Sequence, residues 1–170
     1  MKQKCTIQTP LGEMIAMVEQ NYLYGLWFAG QKYAPEDAGE WVEDPEHPLF
    51  SALRGQLAAY FKGQPQAFDL SLAPKGTAFQ MAVWALLRTI PSGTTTTYGA
   101  LARQLAGQRE GRIPSAQAVG GAVGHNPISI IIPCHRVIGS NGSLTGYAGG
   151  VERKAALLAL ENAQNRELRV

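Results

Sequence analysis

The sequence predicts an α/β protein of the α+β type, with a strand-rich front half and a mostly helical back half. Short alternating runs dominate the start of the chain, whereas apolar residues recur at helical spacing after residue 77. Hydrophobic residues make up 45% of the 170 residues and charged residues 16%. That apolar share can form a core, which excludes wholesale disorder and fibrous repeats.

The front half reads as consecutive strands. Residues 5–9 alternate and end at a turn signal in residues 10–12. Residues 14–18 form a second short run and residues 22–28 a third, rich in aromatics. Asn21 lies between these two runs, which is typical of a hairpin.

The remainder of the front half predicts a loop, a helix and one more strand. Residues 31–48 are polar and acidic, and we expect a loop there. A helix follows, with its apolar residues at helical spacing at Leu49, Leu53, Leu57, Tyr60 and Phe61. Residues 67–72 are a further candidate strand. The segment 73–76 is the best candidate for a boundary between a domain at 1–76 and a domain at 77–170.

The back half begins with two predicted helices. The first runs from Phe79 to Ile90, with Thr77 as its N-cap. Residues 94–97 are expected to be an extended connector. The second helix covers residues 98–106 and turns Leu101 and Leu105 inward.

Three further elements are predicted towards the C-terminus. A polar loop at 107–113 contains Arg109 and Arg112, and a helix of small residues follows at 116–124. Residues 128–132 resemble a buried strand, and a last helix covers 151–162. The helices at 98–106 and 116–124 resemble a helix-turn-helix. Its many small residues are explained equally well by close approach to a nucleic-acid groove and by close packing within the protein.

The formal net charge of +2 is unevenly distributed. Residues 1–76 carry six basic and nine acidic residues, and residues 77–170 carry nine basic and four acidic ones. A polyanion would therefore meet the back half. On charge alone, an ordinary solvated surface is the better explanation of this split.

The most distinctive stretch surrounds Cys134. This thiol follows an apolar run and is flanked by Pro133, His135 and Arg136. A thiolate is the nucleophilic form of cysteine, and nearby cationic or hydrogen-bonding groups favour it. Adjacent side chains of an extended segment point to opposite faces, so either His135 acts through a water or the chain turns there.

A histidine base needs a third group that orients it, most often a carboxylate. Of the four carboxylates in the back half, Glu161 is the one expected to point inward, late on an apolar helix. The alternative is that Cys134 is a buried core thiol, the commoner role of a lone cysteine.

Targeting and metal signals are few. No run approaches the ~18–20 apolar residues of a membrane span, and the first residues lack the apolar centre of a secretory signal. We therefore expect a cytoplasmic protein with no membrane partner and with Cys5 and Cys134 both reduced. A structural zinc site needs about four ligands, whereas this chain has two Cys and three His at scattered positions. We expect no bound metal.

The segment from Pro133 to Val137, Pro-Cys-His-Arg-Val, resembles the active-site signature of the O6-alkylguanine-DNA alkyltransferases. Five other motifs are similar to that family: Asn126-Pro127, Gly146 to Gly150, Thr97-Tyr98-Gly99, Ala118 to Gly121, and the Phe79-Gln80 helix with Trp84. The match covers about the last ninety residues in order. The front half is compatible with the family's ribonuclease H-like N-terminal domain but carries no diagnostic motif.

The resemblance implies direct DNA repair with base flipping, in which an alkyl group moves irreversibly from O6-alkylguanine, and as a second candidate from O4-alkylthymine, to Cys134. His135 would be a water-mediated base, Glu161 its orienting group and Tyr98 a proton donor to the leaving base. Asn126 would hold the turn before the active site. Each molecule would act once, because a thioether is not hydrolysed under mild conditions, and no cofactor is needed.

The resemblance also implies the contact residues and the partner. The partner is double-stranded DNA carrying O6-alkylguanine, bound by a monomer. Residues expected at the DNA are Gln117, Ala118, Gly120, Gly121, Arg112 and Arg136. Residues expected to line the base pocket are Val137, Tyr147, Ala148 and Gly149.

One position departs from the family. Gln117 stands where the family usually has an intercalating arginine, and the loop before it is longer than usual. We therefore expect DNA binding that is retained but weaker or differently anchored, with Arg109 or Arg112 compensating through phosphate contacts. Two other functions are alternatives: a catalytically silent lesion binder, which would lack Cys134, and a thiol hydrolase, for which the sequence shows no oxyanion hole.

Overall fold

The computed structural model describes residues 2–34, 41–64, 67–108, 111–144 and 146–167, with side chains up to Asn162. The chain forms two compact units. One comprises Met1–Lys75 with Pro127–Ser129, and the other comprises Gly76–Asn126 with Ile130–Val170. The division along the chain falls at 75/76, next to the boundary predicted at 76/77, and three residues of the back half, Pro127–Ser129, belong to the first unit.

The first unit is built on a sheet in the order β3-β2-β1-β4. The strands β1 (Lys2–Thr9), β2 (Gly12–Glu19) and β3 (Tyr22–Phe28) pair antiparallel in sequence. The turn between β2 and β3 holds Asn21 at a φ of 65°, a left-handed conformation that Asn tolerates better than most residues. The three predicted strands and the hairpin are confirmed.

Two predictions for this unit were wrong. The predicted loop at 31–48 contains a two-residue strand, β4 (Val42–Glu43), which pairs parallel with β1. Residues 67–72, all of which are described, form no strand; among them only Leu72 makes an isolated bridge, to Leu23. Such short pairings depend on a neighbouring edge, and too few residues alternate to leave a pattern in the sequence.

A helix, α1 (Pro48–Phe61), follows the sheet strands as predicted. His47 caps it through Nδ1, which accepts from the Leu49 backbone N–H at 3.1 Å. Its buried residues are Phe50, Leu53, Leu57 and Tyr60. After it, Gly63 takes a φ of 85°, a conformation that favours glycine and ends the helix.

The second unit is mostly helical. Its helices are α2 (Ala78–Leu87), α3 (Tyr98–Gln108), α4 (Ala116–Gly124) and α5 (Val151–Glu167), with a 3₁₀ turn at Cys134–Arg136. The predicted connector 94–97 is extended at its end, where β5 (Thr96–Thr97) pairs parallel with β6 (Val137–Ile138). No helix in the described part of the chain is long and apolar enough to cross a bilayer.

The helix caps follow the sequence closely. Thr77 and Gln80 form a capping box at the start of α2, and the Ser115 hydroxyl accepts from the Ala118 N–H at the start of α4. The first of these helices ends at Leu87 and not at Ile90. Its last turn tightens, because the N–H groups of Thr89 and Ile90 bond three residues back.

The run 128–132 is buried as predicted, but it is not a strand. Ile128 makes one bridge, to Leu26 of the first unit. Ile130 then takes a φ of 72°, which is a left-handed conformation for a β-branched residue and breaks any strand. The chain turns there and again at Cys134, so the reactive segment is a series of turns.

Candidate active site

Cys134 begins the 3₁₀ turn and is 5% exposed. Its backbone N–H donates to the Ile132 carbonyl at 2.8 Å. The Asn126 side-chain amide donates to the same carbonyl at 2.7 Å and also hydrogen-bonds the thiol. Asn126 is itself buried. The amide therefore holds the turn before Cys134, in the place expected from the sequence.

Burial raises the pKa of the Cys134 thiol to about 11, although the Asn126 hydrogen bond and the Lys154 charge pull it down. The resting group is therefore a thiol at neutral pH. Lys154 is 1% exposed; burial lowers its pKa, and the negative charge of an ionised Cys134 opposes that shift. The charge of Lys154 and the charge of an ionised Cys134 therefore stabilise each other.

Lys154 was missed at the level of sequence. Its helical spacing could have indicated it. On α5, Lys154 lies three residues before Leu157, four before Leu158 and seven before Glu161. This spacing places all four on one helix face. A lysine on that inward face was therefore a candidate for a buried charge.

His135 and Glu161 form a fully buried pair. The His135 Nε2 lies 2.7 Å from Glu161 Oε2, and both side chains have no exposed area. Burial lowers the pKa of His135 despite the opposing effect of Glu161. A neutral imidazole that donates from Nε2 to the carboxylate keeps Nδ1 as an acceptor, and Nδ1 has no hydrogen-bond partner among the described residues.

Arg136 completes this cluster. Its guanidinium donates to both oxygens of Glu161, at 2.8 and 2.9 Å, and to the Ile90 carbonyl at 2.6 Å. Burial pushes the pKa of Glu161 upward, but the hydrogen bonds from His135 and Arg136 outweigh it and lower the pKa to about 2. Glu161 is thus a carboxylate with two cationic or polar donors.

The placement of Arg136 corrects one expectation. We expected this arginine at the DNA surface, but the side chain is only 12% exposed and its donors are used within the cluster. In the structure it anchors the carboxylate that orients His135. The sequence pattern could not separate these roles, because an arginine beside a nucleophile suits both.

Tyr98 begins α3 close to Cys134. Burial raises its pKa, and the charge of an ionised Cys134 raises it further. A Cβ at Gly146 would lie 3.0 Å from the Tyr98 hydroxyl, and Gly146 has a φ of 93°, so that position favours glycine on both counts. A Cβ at Gly120 would lie 3.9 Å from the Tyr98 ring.

The small residues of α4 lie on two faces of the helix, one buried and one exposed. Val119, Ala122 and Val123 are buried, and the Trp84 indole of α2 donates to the Ala122 carbonyl at 2.9 Å. The opposite face is exposed at Gln117, Ala118 and Gly121, and Arg112 is exposed before it. Packing accounts for the inner face only. Arg109 lies outside the described residues.

The expected pocket residues follow the 3₁₀ turn and precede α5. Val137, Tyr147 and Gly149 are buried, and Ala148 is half-buried. The Arg153 guanidinium donates to the Gly149 carbonyl at 3.1 Å, which fixes this backbone. Their contacts with a base stay predictions. Among the described residues no cluster of three or more His, Cys, Asp or Glu side chains suits a metal ion.

Two family models match the chain. Residues 4–74 match the ribonuclease-like domain of 6-O-methylguanine DNA methyltransferase, and residues 78–163 match its DNA-binding domain. A methylated-DNA--protein-cysteine methyltransferase of Mycolicibacterium paratuberculosis is 45% identical over 92% of this chain and 90% of its own length. One of Methanosarcina acetivorans is 43% identical over 92% and 96%.

Solved structures agree. The crystal structure of a Mycobacterium tuberculosis O6-methylguanine methyltransferase is 45% identical, with a TM-score of 0.85 over 96% of this chain and 94% of that one. A crystal structure of Mycobacterium tuberculosis OGT in complex with DNA is 43% identical, with a TM-score of 0.84 over 95% and 94%. The resemblance inferred from the motifs is confirmed, and this chain belongs to the 6-O-methylguanine DNA methyltransferase family.

Proposed function

We propose that this protein repairs DNA directly, by transferring the alkyl group of O6-alkylguanine to the sulfur of Cys134. The observation that carries the proposal is the buried arrangement of Cys134 and His135 on one 3₁₀ turn with Glu161 of α5 bonded to His135, which leaves a nitrogen of His135 as a proton acceptor. The related methyltransferases and the DNA complex of the Mycobacterium tuberculosis protein support DNA as the partner.

The proton is the first requirement of the reaction. With a pKa of about 11, Cys134 rests as a thiol and must lose its proton as the substrate arrives. His135 Nδ1 takes it through a bridging water, and Glu161 stabilises the resulting imidazolium through Nε2. Lys154 stabilises the thiolate by its charge.

The sulfur then attacks the alkyl carbon. A carbon–sulfur bond forms and the carbon–oxygen bond to guanine breaks, with its electron pair left on the base. Tyr98, whose raised pKa keeps its hydroxyl protonated, donates a proton to that leaving base. Because the product is a thioether, each molecule acts once, and the alkyl donor is the DNA itself, so no cofactor takes part.

The substrate is bound as double-stranded DNA. A base inside the stack is out of reach for chemistry, so the damaged nucleotide must be flipped into a pocket beside Cys134. The exposed face of α4, with Gln117, Ala118 and Gly121, is the surface proposed for the DNA. We further propose that the protein acts as a cytoplasmic monomer and accepts O4-alkylthymine as a second substrate.

The decisive experiment is intact-mass measurement after incubation with an oligonucleotide duplex containing O6-methylguanine. We expect a gain of one methyl group, about 14 Da, in the protein, and none in Cys134→Ala. Cys5→Ala is the matched control, since it removes the other buried thiol, and it should still gain the methyl group.

The same experiment separates the other candidate functions. Tight binding to the lesion without a mass gain would instead indicate a silent lesion binder. Repeated turnover of an acyl substrate would indicate a thiol hydrolase.

Gln117 is expected to anchor the DNA weakly. Its exposed side chain can stack and hydrogen-bond but brings no positive charge towards the phosphates. We expect Gln117→Arg to bind duplex DNA more tightly at low salt and to repair it faster. If affinity and repair rate were both unchanged, the loss of the usual arginine would be without consequence and this hypothesis would fail.

A further inference from the structure

We propose that the outer edge of β1 in the first unit binds an extended segment of a partner protein. That segment would carry two acidic side chains four residues apart, with an apolar side chain midway between them. None of the residues of this surface takes part in the alkyl transfer proposed above, so the inference is independent of that chemistry.

The outer edge of β1 is only partly covered. The strand β4 pairs with Gln3 and Lys4, after which the chain turns away towards α1. The Lys4 carbonyl accepts from the Asp44 N–H at 3.0 Å, which shows that the backbone of Lys4 faces β4. Because backbone groups alternate along a strand, Thr6 and Gln8 face the same edge.

Thr6 and Gln8 therefore present a short open ladder. Neither makes a backbone hydrogen bond on this side to any described residue. Both side chains are exposed. An open strand edge of this kind is a template for a further strand, and strand addition is a common way in which proteins bind extended peptides.

A groove of about 570 Å³ runs beside this open edge. One wall is residues 6–10 of β1 and the turn after it. The other wall is one face of α1 together with its C-cap residue, formed by Arg54, Leu57, Ala58, Phe61 and the C-cap Lys62. The centre of that wall is apolar, and it would receive every second side chain of a strand added to β1.

The charges of the residues that line the groove indicate the chemistry of the segment that would bind there. Both charged residues lining it, Arg54 and Lys62, are cations. Arg54 lies on α1 and Lys62 is its C-cap, eight residues further along, which corresponds to a helical rise of about 12 Å. Residues i and i+4 of an extended strand share a face and are separated by about 13 Å. Acidic side chains at those two positions match the cations, and residue i+2 lies over the apolar centre.

The covered part of the same edge supports an acidic occupant. There β1 already pairs with an acidic segment, Glu43 followed by Asp44. The Asp44 carboxylate accepts from the Gln3 side chain at 2.7 Å. A partner strand at Thr6 and Gln8 would continue this arrangement along β1.

The probe is a fluorescein-labelled peptide of sequence Ser-Asp-Thr-Val-Thr-Glu-Ser, titrated with the full-length protein at low salt and followed by anisotropy. We expect saturable binding at least tenfold tighter than that of a peptide with both acidic residues replaced by lysine. A peptide with proline in place of valine should also bind at least tenfold more weakly, because proline removes a backbone donor. Hydrogen exchange at the Thr6 and Gln8 amides should slow when the acidic peptide is bound.

Variants of the protein locate the binding. We expect Lys62→Glu to weaken binding of the acidic peptide about tenfold or more and Ala58→Gln to weaken it by filling the groove. Lys32→Glu makes the same charge change at an exposed position outside the groove and should leave binding unchanged. All three variants should transfer the methyl group at the unchanged rate, since none lies in the active site.

Four results of the peptide experiments would overturn the proposal, and so would one result on the oligomeric state. The four are no binding up to millimolar peptide, equal binding of the lysine peptide, no effect of Lys62→Glu, or unchanged exchange at Thr6 and Gln8. A concentration-dependent dimer that Lys62→Glu abolishes, in place of peptide binding, would likewise overturn it and assign the edge to a second copy of the chain.

Discussion

The protein contains two buried cysteines, one in each unit, and their surroundings differ in kind. Cys5 is 1% exposed and Cys134 is 5% exposed. Burial raises the pKa of both thiols, and each has one cation that pulls the pKa down, Arg54 for Cys5 and Lys154 for Cys134. Burial and a neighbouring cation therefore do not distinguish a nucleophile from a core thiol.

The two thiols differ in the backbone conformation around them and in whether a base is placed beside them to accept the proton. Cys5 lies inside the regular strand β1, paired with Ala16 of β2. Cys134 lies on a 3₁₀ turn held by Asn126, directly before a buried histidine with an accepting nitrogen. A nucleophilic thiol needs a base that takes its proton, and Cys134 directly precedes such a histidine, whereas Cys5 is followed by Thr6 within a regular strand.

The largest effect is expected from Glu161→Gln. This change removes the charge that orients His135 and neutralises Arg136, and an unpaired buried charge is costly. Loss of a positioned base lowers a rate by ~10²–10⁴-fold, so we expect single-turnover methyl transfer to slow at least about 100-fold. Quench-flow followed by intact mass measures it.

The control for that loss is Glu152→Gln, in the first turn of the same helix and exposed. It should leave the rate and the melting temperature unchanged. If Glu161→Gln and the wild type transferred the methyl group at equal rates, the reaction of Cys134 would not depend on the orientation of His135 by Glu161. The proposed distinction between Cys134 and Cys5 would then fail.

A second effect of Glu161 concerns acid stability. Because its pKa is lowered from 4.5 to about 2, the folded state holds the carboxylate ionised where the unfolded chain binds a proton. The stabilisation is complete above pH 4.5 and is lost as the pH falls towards 2, a change of about 3 kcal/mol. The wild type should lose this amount relative to Glu161→Gln in urea denaturation between pH 5 and pH 2. A constant difference between them would contradict the depressed pKa.

The contrast between the thiols also shows what could be predicted from the sequence. Helices with caps and apolar spacing, such as α1 and α4, are local patterns and were predicted to within a residue. The strands of the β1 to β3 hairpins were also predicted, although β1 begins three residues and β2 two residues before the predicted runs. The turn at Ile130 was not, because an apolar run before a proline looks like a strand whatever its φ.

The tertiary contacts of the site residues were the other part of the structure that could not be predicted from the sequence. Glu161 could be chosen because few carboxylates exist in the back half, but the bonds that turn Arg136 inward to Ile90 and Glu161 depend on tertiary packing. Lys154 could have been found from helical spacing alone. The two-residue strand β4 depends entirely on pairing with the edge of β1, so no local sequence pattern predicts it.

A smaller effect is expected from Lys154→Met in a Cys5→Ala background. Lys154 lowers the pKa of Cys134, so its removal should raise that pKa above about 11. The thiolate fraction at pH 9 should fall, and alkylation by iodoacetamide should slow, because the thiolate is the reacting form. The logarithm of the wild-type rate should rise with pH up to about 11.

The control here is Arg103→Met, which removes an exposed cation from the same unit. Its alkylation profile should match that of the parent. A profile of Lys154→Met that coincides with the parent's would mean that Lys154 affects Cys134 no more than a surface cation does.

The smallest effect is expected from Cys5→Ser, which tests the other side of the comparison. A hydroxyl placed at this buried strand position loses apolar contacts and needs a new hydrogen bond, at a cost of about 1–3 kcal/mol in the free energy of unfolding. Methyl transfer should be complete and at the wild-type rate, because Cys5 has no part in the turn that carries the reaction. Cys134→Ser should show the reverse, with loss of transfer at a similar or smaller cost in stability. If Cys5→Ser were stable yet slow in transfer, the first unit would contribute to the reaction in a way that its position in β1 does not suggest.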